Sequence, residues 1–87
     1  MASRRRTLSP MSSEDLLKRV TSHPDVLGGR PVIRGLRISV RDILDMLAGG
    51  AAREEILADF PYLEADDITA ALEYAARSVD HRVIQTA

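Results

Sequence analysis

The chain of 87 residues has no cysteine and no tryptophan, and its aromatic content is one phenylalanine and two tyrosines. Lack of cysteine removes disulfides, thiolate metal ligands and thiol nucleophiles from consideration and suits a reducing compartment. So few rings leave no platform on which single-stranded bases could stack. No apolar run approaches the roughly 20 residues that a membrane-spanning helix needs, so membrane insertion is not expected. Residues Met1-Ala-Ser-Arg-Arg-Arg6 are basic, but 7–13 supply no hydrophobic stretch, which argues against a secretory signal and for the cytoplasm. A chain of this length buries only about 60–65% of its unfolded surface, so a homodimer or a complex is expected on size alone.

Donors for chemistry are equally sparse. The two histidines, His23 and His81, stand far apart with no third ligand at metal-binding spacing, so neither a metal nor another cofactor is expected. Gly28-Gly29 lacks the Gly-Lys-Ser/Thr ending of a phosphate loop and reads as a turn. No serine or threonine has a base and an orienting acid nearby in sequence. The carboxylates fall where helix starts and solvated faces put them. The expectation is therefore a protein that is not an enzyme.

What is present is charge, unevenly spread. Residues 1–41 carry nine Lys and Arg against three acids, a balance of +6, whereas residues 42–87 carry three against ten, a balance of −7. Such asymmetry marks nucleic-acid contact by the basic part, pairing of the acidic part with a basic partner, or two halves that each simply solvate themselves.

The pattern along the chain predicts a flexible basic arm over 1–11 and a single domain over 12–87. Ser12-Ser-Glu-Asp15 resembles a capping box opening a short helix with Leu16, Leu17 and Val20 on one side, and the chain extends near Val20–Ser22. Breakers at His23-Pro24 and Gly28-Gly29 lead into a hairpin over about 31–38. With Arg34-Gly35 as a two-residue loop, Ile33 faces Leu36 and Pro31 faces Ile38 on an apolar side, while Arg30, Val32, Arg37 and Ser39 form the other. An isolated hairpin is marginal in water, so helices or a second copy must cover that apolar side.

A helical core follows over about 40–79. Ser39 is an N-cap with Asp42 completing its box, and Val40, Ile43, Leu44 and Leu47 repeat at helical spacing up to Gly49-Gly50. A shorter helix near 52–59 buries Ile56, Leu57 and Phe60, and a last one starts near Ala65 with Ile68, Ala71, Leu72, Ala75 and Val79 on one face and a Glu73–Arg77 pair opposite. The final two helices look like a helix-turn-helix. Glu64, Asp66 and Asp67 crowd the start of the second, the end that approaches base edges, and phosphate repulsion opposes its entry into a groove. Arg4, Arg5 and Arg6 of the arm are the better candidates for DNA, since a basic arm enters a minor groove without prior folding.

Taken together, Val20 to Ala76 resembles the small bacterial family catalogued as domain of unknown function 433. Its pattern, Gly-Gly-x-Pro-x-Ile-x-Gly-Thr-Arg-Ile-x-Val, is met by Gly28-Gly-Arg-Pro-Val-Ile-Arg-Gly-Leu-Arg-Ile-Ser-Val40, with Pro24 before it and Glu55-Ile56, Pro61-Tyr-Leu63 and Ala71-Leu-Glu-Tyr-Ala75 after it. Leu36 stands where the family has threonine, so a hydroxyl contact near the turn is not carried over. The resemblance implies a mainly α fold in which a short N-terminal β-hairpin precedes a three-helix, homeodomain-like core. It also implies the antitoxin, of VapB type, of a type II toxin–antitoxin pair, partnered by a PIN-like nuclease.

The functional expectation is thus an antitoxin that dimerises, neutralises a PIN-like ribonuclease and helps to repress its own operon. Arg30, Ile33, Arg34, Leu36, Arg37 and Ile38 would form the toxin or dimer contact, and Arg4, Arg5 and Arg6 would meet operator DNA. A stand-alone DNA-binding regulator or recombinase-type module, and a homo-oligomeric scaffold, are the alternatives.

Overall fold

The computed structural model describes residues 11–79, so the arm with Arg4, Arg5 and Arg6, and His81, lie outside the described residues. Helix α1 (Ser13–Leu17) is followed by strand β1 (Val20–Thr21), a 3-10 turn at Leu27–Gly29, strand β2 (Val32–Ile33) and helices α2 (Val40–Ala48), α3 (Arg53–Asp59) and α4 (Ala65–Ser78). A mainly α architecture with a small antiparallel β element ahead of the main helices is the fold class that the sequence pattern predicts.

Helix starts follow their caps. Ser12 Oγ accepts from the Asp15 amide at 3.1 Å. Ser39 and Asp42 form the reciprocal box, with the Asp42 amide donating to Ser39 Oγ at 2.9 Å and the Ser39 amide to Asp42 Oδ2 at 3.1 Å. At α3 and α4 only half of that device exists, a carboxylate reaching back to the preceding amide: Glu55 to Ala52 at 2.7 Å and Asp67 to Glu64 at 2.8 Å. The Glu73–Arg77 pair forms at 2.8 Å, and Arg77 together with Ser13 holds the Glu73 carboxyl below the usual carboxylate range.

The β element differs from the expected hairpin in its pairing. Arg34 and Gly35 do make the turn, both at positive φ (47° and 71°), and the Leu36 amide donates across it to Ile33 O at 2.7 Å. The ladder partner of β2, however, is β1, with Val20 opposite Ile33 and Thr21 opposite Val32. The returning arm meets β2 only briefly, through the bridge between Val32 and Ser39 and a bond from the Ile33 amide to Ile38 O. Its register is two residues off the predicted one, which placed Pro31 against Ile38. Val32, Ile33, Ile38 and Ser39 are consequently all buried, so the ribbon has no free apolar side, while Arg30 and Arg37 stay exposed. Helix packing explains the difference: Ser39 must cap α2, which pulls the returning arm under the helices instead of leaving it splayed on the surface.

The core consists of Ile33, Ile38, Val40, Ile43, Ile56, Leu63, Ile68 and Ala71, with Leu44, Leu47, Leu57 and Phe60 half-buried against it. α4 is the central element, packed on one side by α1 and on the other by α2 and α3. Its buried face is Asp67, Ile68, Ala70 and Ala71. Leu72 and Val79, predicted on the inner face, are 40% and 65% exposed. The inner arc has rotated toward Asp67 and Ala70 because α1 and the turn cover that side.

Gly35 offers a clean stability test, since a Cβ there would meet nothing within 4 Å and only the positive φ opposes a side chain. Gly35→Ala is expected to cost about 1 kcal/mol, lowering the melting temperature by about 4–8 °C. Unchanged thermal unfolding would contradict the left-handed turn.

Candidate partner-binding surface

One buried carboxylate ties three parts of the chain together. Asp67, fully buried, accepts Arg34 Nε at 3.0 Å and Arg34 Nη2 at 2.8 Å as a two-pronged pair, Arg19 Nη1 at 2.8 Å, and the Glu64 amide at 2.8 Å. Arg34 Nη2 also donates to Tyr62 O at 2.9 Å, and Arg19 Nη1 to Glu64 Oε1 at 2.8 Å. The Arg34 amide donates to Arg19 O at 2.7 Å, so the two cations are linked through the backbone as well. Burial pushes the Asp67 carboxyl up, but the bonds from Arg34, the Glu64 amide and Arg19 together outweigh it and leave the carboxyl below its ordinary value. Both guanidiniums are held above their usual value, Arg19 by its bonds to Glu64 and Asp67, Arg34 by its bond to Asp67. Arg19 Nε is buried without a hydrogen-bond partner, a local cost that the two carboxylates offset.

On another side of α4 the surface opens into a groove of about 660 Å³ between the start of α2 and the end of α4. Its floor is apolar, from Pro31, Val40, Leu44, Tyr74, Ala75 and Val79, and its rim carries Arg30, Arg41, Asp42 and Asp45. Asp42 is committed to the Ser39 cap and Asp45 accepts from Arg41 at 3.2 Å. Arg30 is the rim charge left over. Among the described residues, Arg30 and Arg37 are the cations whose side chains make no hydrogen bond or ion pair; Arg53, for comparison, reaches Thr69 Oγ1 at 3.1 Å. The groove is thus apolar in its floor, with Arg41, Asp42 and Asp45 engaged at its edge and the Arg30 side chain unpaired.

The candidate residues therefore separate. Ile33 and Ile38 are core side chains, Leu36 is half-buried against that core, and Arg34 is engaged by Asp67. Arg30 and Arg37 stand exposed at opposite ends of the β element. Among the described residues no group of three or more metal-ligating side chains converges, and no helix is long and apolar enough to cross a membrane. Sequence reasoning missed the pairing of Arg19 with Asp67. The signal for it was an acid inside the apolar arc of α4, beside Ile68 and Ala71, which an ordinary helix-start explanation absorbed.

Asp67→Asn keeps the shape and removes the charge that both guanidiniums face. A loss of about 3 kcal/mol in unfolding free energy is expected, near the lower end for breaking a buried pair because Arg34 keeps part of its side chain in water. Because the folded Asp67 holds its proton less tightly than the unfolded one, its stabilisation is present above the unfolded value of about 3.9 and lost as pH falls below it. Urea unfolding between about pH 2 and 6 should show an acid-side decline in the parent that is shallower in Asp67→Asn. Equal slopes would remove Asp67 from the acid response.

Comparison with known proteins agrees with the motif. A relative, the uncharacterized protein y4eO of Sinorhizobium fredii (strain NBRC 101917 / NGR234), is 46% identical over 56 residues, which are 64% of this chain and 25% of that protein. The chain thus spans about a quarter of the length of that relative. No solved structure matches. The model of the family described as protein of unknown function (DUF433) matches residues 20–75, a span that runs from β1 to the last third of α4 and holds Arg34 and Asp67. By that match, over well more than half its length, the chain belongs to the DUF433 family.

Proposed function

We propose that this protein is the antitoxin of a type II toxin–antitoxin pair, binding and neutralising a PIN-like ribonuclease. The observation that carries the reading is the pair of unpartnered cations: Arg37 beside the turn and Arg30 at the rim of an apolar groove. A nuclease that holds metal with carboxylates presents the complementary charge, and a guanidinium placed among those carboxylates displaces the ion on which hydrolysis depends. The groove supplies what a charged contact lacks, apolar area for affinity, and the rim charges set its orientation. The contrary arrangement, with the acidic start of α4 mimicking RNA, is disfavoured because Asp67 is buried and Glu64 and Asp66 lie 2.8 and 3.9 Å from Arg19. Repression of the operon by the pair is part of the same reading, with Arg4, Arg5 and Arg6 meeting the DNA.

Co-expression with the nuclease encoded beside this gene tests the proposal. Parent protein is expected to abolish the RNase activity, Arg37→Ala to weaken the complex by about thirtyfold or more, and Asp66→Lys to leave inhibition intact. If no neighbouring nuclease is inhibited, the antitoxin reading fails. If inhibition survives Arg37→Ala and Arg30→Glu together, the cationic contact fails. For DNA, removing residues 1–8 should reduce the salt dependence of operator binding by up to about one unit of log-log slope for each phosphate that the arm neutralises, and an unchanged slope would exclude the arm.

A further inference from the structure

The apolar groove has two walls, Val40 and Leu44 of α2 on one side and Tyr74 and Ala75 of α4 on the other, and Val79 also lines it. Val79 is the C-cap of α4, with φ −97° and ψ 19°, so the chain leaves the helix at the groove itself. No glycine or proline occurs in 79–87, yet the helix stops at Ser78. The local sequence accounts for that stop. Asp80 puts a negative charge at the negative end of the helix dipole, and Val79, Val83, Ile84 and Thr86 are β-branched and favour extended backbone.

We infer that the segment following Val79, which lies outside the described residues, turns back in the free chain and seats Val83 and Ile84 in this groove. An extended segment sends successive side chains to opposite sides, which suits a slot with an apolar wall on each side. Reach is sufficient. From Val79 back to Tyr74 the helix covers about 7.5 Å, whereas the stretch from Val79 to Ile84 spans up to about 17 Å when extended, leaving Asp80 to Arg82 for the reversal. The N-terminal arm is the poorer occupant: α1, through which it enters the fold, packs on the side of α4 away from α2, and Arg4, Arg5 and Arg6 would be repelled by Arg30 at the rim. A second copy would offer the same segment only at the concentration of the protein, whereas a short tether holds the chain's own at a millimolar effective concentration. For regulation the inference rests on the nuclease reading: the segment covers the apolar floor, and the nuclease must displace it.

The absence of cysteine makes the contact directly testable in the full chain. Under mild oxidation, Leu44→Cys with Ile84→Cys is expected to close a disulfide within one chain about tenfold faster or more than Leu72→Cys with Ile84→Cys. Leu72 is the stringent control, being exposed, outside the groove and nearer to Ile84 in sequence. Equal rates, or cross-links only between chains, overturn the fold-back. A second readout leaves the groove unaltered: Val83→Asp with Ile84→Asp is expected to raise the fluorescence of added ANS by about threefold or more, with far-UV circular dichroism unchanged. An unchanged signal overturns the covering. The same variant is expected to bind the co-expressed nuclease about threefold tighter or more, since the parent's groove is free only part of the time. Unchanged affinity, with the disulfide formed, overturns the competition. If neither parent nor variant binds the nuclease although the disulfide forms, the nuclease reading alone is overturned.

Discussion

Everything on the N-terminal side of this molecule hangs from the Asp67 carboxylate. It is fully buried, yet it receives donors from the end of α1, from the turn after β2 and from the start of its own helix. α1 is only five residues long and each strand is two, and elements of that size do not hold themselves in water. Arg34 locks the turn to α4 and Arg19 locks the link between α1 and β1 to the same point. A hydrophobic contact could have joined these pieces, but a two-pronged ion pair also fixes their orientation. The cost is a buried charge and an orphaned Arg19 Nε, tolerated because four hydrogen bonds converge on one carboxylate.

That constraint also decides which surfaces are free. Arg34 is engaged by Asp67, and the acidic start of α4 is met within the chain by Arg19 and Arg34. The halves of the chain, opposite in charge in the sequence, are therefore joined to each other inside the fold, and part of the asymmetry serves cohesion. Arg30, Arg37 and the apolar groove between α2 and α4 remain outward.

Helix positions were legible because each rests on local chemistry: the Ser12 and Ser39 caps, the Gly49-Gly50 stop and the acids in the first turns of α3 and α4 all act within a few residues. The turn at Arg34-Gly35 was legible for the same reason. Strand pairing was not, because it depends on how the helices draw in Ser39 and Ile38, which is tertiary. Burial of Leu72 and Val79 was misread because helical periodicity identifies an apolar arc without saying where its centre falls, and a paired Asp67 shifted that centre. The candidate site suffered most. Arg34 and Arg37 look alike in sequence, and only the position of a carboxylate 33 residues away separates the one that is engaged from the one that is free.

The central claim, that Asp67 and Arg34 act as one unit anchoring the turn to α4, is tested most directly by a double-mutant cycle in urea unfolding with Asp67→Ala, Arg34→Ala and the pair together. If the side chains act jointly, the double variant should be destabilised by clearly less than the sum of the single changes, with a coupling energy of about 1.5 kcal/mol or more. Additive losses, within about 0.5 kcal/mol, would mean that the two contribute separately and that something other than this carboxylate holds the N-terminal elements in place.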